Sequence, residues 1–99
     1  MTRTLTFRPL ARVDLADIWA FTVERWSEAQ ADRYFEGLNE VLALLCAHPE
    51  IARLNEALTP PARHYFYRAH LVIFTADEGA VEVIRVVHMR SDWWVSLLE

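Results

Sequence analysis

Arg63, Arg85, His88 and Arg90, with His64, Tyr65 and Tyr67 nearby in the chain, are the side chains whose types could do chemistry. Cleavage of RNA by its own 2′-hydroxyl needs a base, an acid for the leaving oxygen, and cations facing the developing phosphorane charge. Histidine can serve as acid and base near neutrality, which makes His88 the pivotal candidate. Strand alternation argues against the set. It places His88 with Ile84 and Val86 and turns Arg85 to the opposite face. No catalytic residue is therefore favoured. His64 and His70 have no cysteine or carboxylate at metal-ligand spacing, and no Gly-rich phosphate loop occurs, so no metal or cofactor is expected. Cys46 lies in the apolar run 41–47 and reads as a buried, inert thiol.

Composition narrows the classes further. The chain has 99 residues, 54% of them hydrophobic, with 2 Gly and 4 Pro, which describes a single globular domain over residues 1–99. No apolar run approaches the roughly 18 residues needed to span a bilayer, and no signal peptide opens the chain, so a cytoplasmic protein is expected. Acidic residues number 14 against 10 basic ones, all arginine, for a net charge of −4. A net negative domain is poorly suited to general nucleic-acid binding, which relies on neutralising phosphates.

The elements that must position these residues follow from periodicity. Residues 4–7 alternate polar and apolar as a short strand. A helix is expected over residues 9–26, starting at Pro9, with the stripe Ala11, Leu15, Ile18, Thr22 and Trp26. Asp14, Asp17 and Glu24 lie off that stripe and are expected to be solvated. Ser27-Glu28-Ala29-Gln30 is a capping-box sequence for a second helix over 28–47, which His48-Pro49 stops. Tyr34, Leu38, Ile18 and Leu15 are expected to be nearly solvent-free. Residues 49–61 read as a loop containing a turn of helix near Ile51, Leu54 and Leu58. Strands are expected at 63–67, 70–75 and 81–88, with Asp77-Glu78-Gly79 turning the last hairpin. Ser91 could cap a last helical turn through Trp93, Trp94, Leu97 and Leu98. The order βααβββ(α) is an α+β domain: an N-terminal strand and an antiparallel helical hairpin on a three- to four-stranded antiparallel sheet.

In this order and spacing, several short motifs resemble the ParE/RelE superfamily of type II toxin–antitoxin toxins. They are Ala11-Arg12-Val13-Asp14-Leu15-Ala16-Asp17-Ile18-Trp19, the junction Trp26-Ser27-Glu28-Ala29-Gln30-Ala31, His48-Pro49, Arg63, His70-Leu71-Val72-Ile73-Phe74, and Ile84-Arg85-Val86-Val87-His88. The resemblance implies a toxin neutralised by a cognate antitoxin whose C-terminal segment wraps it. RelE-like members are ribosome-dependent endoribonucleases; ParE-like members poison DNA gyrase. The closing Arg85-Val86-Val87-His88 and the Trp26-Ser27 junction resemble the ParE branch.

Site expectations follow from both readings. Val83, Arg85 and Val87 are expected to share the sheet face left open by the helices and to bind the antitoxin, with Arg85 paired to Glu82, Asp92 or an antitoxin carboxylate. Arg63 and Arg68 lie in the acid-free segment 59–76 and would add a local positive patch for an acidic antitoxin tail. Met89, Arg90, Trp93 and Trp94 are the expected target-binding residues, since exposed tryptophan commonly marks a partner surface. If the chain is a nuclease instead, Arg63, Arg85, His88 and Arg90 are the candidates. A non-toxic module kept for complex assembly is a third reading. A toxin–antitoxin hetero-oligomer without stable nucleic-acid or membrane binding is the expected state.

Overall fold

The computed structural model describes residues 3–90. The elements run β1 (Thr4–Phe7), α1 (Pro9–Arg25), α2 (Glu28–Ala47), a 3-10 turn (Pro49–Ile51), β2 (Arg53–Asn55), β3 (Ala62–Tyr67), β4 (His70–Ala76) and β5 (Ala80–His88). They form the expected α+β domain, a helical hairpin on one side of a sheet. The sheet holds five strands in the order β1-β5-β4-β3-β2. β1 runs parallel to β5, with Leu5 opposite Val81 and Phe7 opposite Val83, while the other pairs are antiparallel. The extra strand, β2, lies where a turn of helix was expected around Leu54; the helical turn closes earlier, at Ile51.

The helical hairpin follows from its caps. Pro9 opens α1, and Ser27 Oγ accepts the Gln30 N–H at 3.0 Å to open α2. The return half of a capping box is replaced, since Gln30 Oε1 accepts from Arg33 Nη2 at 3.0 Å. α1 ends at Arg25, so Trp26 becomes its C-cap with φ −123° and leaves the apolar stripe; it is 69% exposed. Ile18 and Leu38 are buried as expected, whereas Leu15 and Tyr34 are only half-buried. At the β4–β5 turn, Asp77 Oδ1 accepts the Gly79 and Ala80 N–H groups, both at 2.8 Å. That is the local side-chain bonding for which Asp is favoured in turns.

Two apolar clusters sandwich the sheet. On the helix side, Ala11, Ile18, Leu38, Leu42 and Leu45 pack on Val72, Phe74, Val81, Val83 and Val86. On the opposite side Leu58, Ala62, Leu71, Ile73 and Val87 pack together, with Ile84 at the margin. A β-bulge decides the partition. Ile73 pairs with Arg85 but Phe74 pairs with Val83, so Ile84 is an extra residue in β5.

The bulge corrects the expected faces. Unbroken alternation would put Val83, Arg85 and Val87 together; the one-residue slip sends Val83 to the helix side and Val87 to the other. Val83 is fully buried and has no surface to offer an antitoxin. The expected partition of Ile84 from Val87 fails for the same reason.

Candidate functional site

A groove of about 580 Å³ runs between α1, the start of α2, and the far ends of β4 and β5. Its apolar wall is Ile18 and Phe21 from α1 with Trp26 at the helix end; Val86 faces them from β5, and Val87 borders the groove from the neighbouring position. Phe21 is 60% exposed. Thr22, buried in this wall, donates its hydroxyl to the Ile18 carbonyl at 2.7 Å and so leaves no orphaned polar atom there.

One end of the groove is closed by an ion pair. Arg85 Nε and Nη2 donate to Asp14 Oδ2 and Oδ1 at 2.7 and 3.0 Å, the bidentate fork that suits a guanidinium. Asp14 Oδ2 also accepts the Val86 N–H at 2.9 Å. The two side chains are 14% and 21% exposed, and the carboxylate holds the Arg85 guanidinium above its ordinary value. Asp14 was expected in solvent and Arg85 on the open face, paired to Glu82, Asp92 or an antitoxin carboxylate. The bulge turns Arg85 toward α1, where Asp14 borders the apolar stripe; Glu82 instead pairs with Arg8 at 3.1 Å. The sequence marked only half of this pair: Arg85 interrupts an apolar strand, whereas Asp14 merely borders the helix stripe.

The other end is a run of rings. Tyr34 of α2 hydrogen-bonds His70 Nδ1 and lies edge-on to it at 5.6 Å. His70 pairs across the strands with His88, their rings edge-on at 5.6 Å. Burial, then the neighbouring Tyr67, raises the Tyr34 phenol; burial, then His88, lowers His70. One proton lies between Tyr34 Oη and His70 Nδ1, the phenol donating where the ring carries its hydrogen on Nε2 and accepting where it carries it on Nδ1. Behind this run Tyr67 donates to the Tyr34 carbonyl at 3.0 Å, and Arg68 Nε donates to Tyr67 Oη at 3.3 Å.

The structure thus brings Arg85 and His88 to one groove, against the expected split, and separates Arg63 from both. Arg63 Nη1 donates to the Ala52 carbonyl at 2.8 Å, tying β3 to the segment before β2. Arg68 is exposed in the two-residue β3–β4 turn with φ 51°, its guanidinium 5.6 Å from the Tyr67 ring. Met89 is exposed and its N–H donates to the Ala69 carbonyl at 2.8 Å; the Arg90 N–H donates to His88 Nδ1 at 3.2 Å. Trp93, Trp94 and the expected last helical turn lie outside the described residues. Tyr34 and Trp26 are groove residues that periodicity alone assigned to packing, and Phe21 and His70 join them in the lining.

Comparison with known proteins shows which family the chain resembles over nearly its whole length. The family profile described as "ParE toxin of type II toxin-antitoxin system, parDE" matches residues 5–93. Toxin ParE1 of Mycobacterium tuberculosis is 30% identical over 93 residues, covering 93% of this chain and 95% of that protein. Toxin ParE1 of Caulobacter vibrioides is 32% identical over 82 residues, covering 83% and 84%. The solved structure titled "Chromosomal ParDE TA system from P. aeruginosa" superposes with a TM-score of 0.72 at 15% identity, covering 88% of this chain and 96% of that one. At that identity the superposition shows the shared fold.

Proposed function

This chain belongs to the ParE toxin family of type II toxin–antitoxin systems, and on that premise we propose that it arrests growth by binding DNA gyrase in the cytoplasm, with no catalytic residue of its own. The observation that supports binding over cleavage is the Asp14–Arg85 pair. Among the described residues lining the groove, Arg85 is the arginine, and its fork is held by a carboxylate rather than open to a phosphate. A phosphorane next to Asp14 and Asp17 would meet negative charge where cleavage needs positive. The target contacts are Met89, Arg90 and, beyond the described residues, Trp93 and Trp94.

The antitoxin occupies the groove, anchoring apolar side chains on Ile18, Phe21, Trp26 and Val86, with the exposed Arg68, next in sequence to the lining residue Ala69, available to an antitoxin carboxylate. Arg85, for which the sequence left a structural ion pair and an antitoxin contact both open, contributes by shaping the groove through its pair with Asp14. The competing reading, a ribosome-dependent nuclease, draws on His88, His70 and Tyr34 sharing the groove's other end. One experiment separates the two. Purified chain should inhibit supercoiling or trap cleavage complexes with gyrase and leave ribosome-bound messenger intact. Codon-specific cuts in programmed ribosomes that vanish with His88→Ala would replace binding by catalysis. Expression without growth arrest would leave the non-toxic assembly module.

A further inference from the structure

We propose that Asp14 is a positioning residue: by holding the β5 bulge from α1, it sets the direction in which the chain leaves the sheet and so presents the toxic contact. This rests on the reading above that target contacts begin at Met89. Three bonds to one carboxylate reach across 71 and 72 positions of sequence and end on two consecutive residues of β5. Those residues, Arg85 and Val86, directly follow the extra residue Ile84.

A bulge breaks the ladder and re-aims the side chains beyond it. Here Asp14 Oδ2 supplies the acceptor for the Val86 N–H beside the interruption, while both its oxygens hold Arg85. A slip back to unbroken alternation would exchange the faces of every residue from Val86 onward. His88 would then leave the groove, and the Met89 N–H would lose its aim at the Ala69 carbonyl. The family-like segments around Asp14 and around Arg85 are far apart in sequence; in the fold they are one device.

The test uses the full chain. Asp14→Asn keeps the volume and one acceptor but removes the charge. Leu42→Val loosens the core under α2, remote from the groove, and serves as a control of comparable stability loss. Soluble toxin needed for growth arrest is measured in cells for each variant, alongside amide exchange of Val86 and Val72 and supercoiling inhibition in vitro. With Asp14→Asn, Val86 exchange should quicken by about tenfold relative to Val72, and the toxin level for arrest should rise by about fivefold or more. With Leu42→Val that level should stay within about twofold of the parent. Parental potency of Asp14→Asn with Val86 exchange quickened would overturn the proposal, as would an equal potency loss in Leu42→Val. Should Asp14→Asn fail to fold, Arg85→Gln, which spares the Val86 bond, is judged by the same potency criterion. A parent that arrests growth without touching gyrase sinks the gyrase reading alone; a parent that never arrests growth sinks both.

Discussion

Gly37 sits in the middle of α2, where alanine is the better helix former by about 1 kcal/mol, yet Gly37→Ala should destabilise the protein. A Cβ at this position would overlap the Tyr67 hydroxyl and come within 3.1 Å of Tyr67 Cζ. Tyr67 has little room to retreat. Its hydroxyl donates to the Tyr34 carbonyl, and its ring meets the Tyr34 ring edge-on at 5.0 Å. Overpacking of this kind costs about 1–3 kcal/mol, and displacing the hydroxyl forfeits a hydrogen bond worth about 0.5–1.5 kcal/mol. Setting the helix gain against both leaves a net loss of about 0.5–3.5 kcal/mol, or a fall in Tm of roughly 2–28 °C for a domain of this size. Thermal and urea melts measure it. The double variant Gly37→Ala/Tyr67→Phe lacks the overlapping oxygen and should regain at least half of the loss. A Gly37→Ala protein that melts higher than the parent would refute the argument, because helix propensity alone would then account for the site.

The ion pair behind the groove should behave as a coupled unit. Asp14→Ala should cost about 2–4 kcal/mol in urea unfolding, since it strands Arg85 and the Val86 N–H, and adding Arg85→Ala should cost less than the sum of the singles. Acid should weaken the fold through His70. Burial, then His88, lowers its folded-state value, so the unfolded chain binds the proton first. Its contribution is therefore complete above the unfolded value of about 6.5 and lost as pH falls through the folded one. Tm should drop between pH 7 and pH 5, and His70→Gln should flatten part of that slope; His64, lowered by burial and then Arg53, acts in the same direction. Trp26→Ala, at a site 69% exposed, should leave Tm nearly unchanged while weakening antitoxin binding by about 2 kcal/mol in calorimetry. Unaltered affinity would remove the helix end from the interface.

Much of the architecture was legible because it is written in local terms. The 3.6-residue stripes, Pro9, Ser27 and His48-Pro49 fixed the two helices to within a residue of α1 and α2, while an aromatic run located β3 and runs rich in β-branched residues located β4 and β5. β2 was misread since three residues carry no usable period, and Ile51, Leu54 and Leu58 fit a helical spacing as well. The parallel pairing of β1 with β5 was also beyond reach, because a four-residue strand states its pleat but not its neighbour.

The sequence by itself determined the hairpin, the strand order in the chain and the family. Tertiary structure alone decided which face each residue of β5 occupies. With Val83, Ile84, Val86 and Val87 all apolar, both alternation phases look equally good, so a one-residue bulge leaves no trace in the pattern. The same blindness hid Asp14. A charge beside an apolar helix stripe is satisfied by water unless another element brings it a partner, and only the packing of α1 on β5 brings Arg85 there. Periodicity reports the face a residue turns toward the core; it holds no record of what the opposing element places against that face.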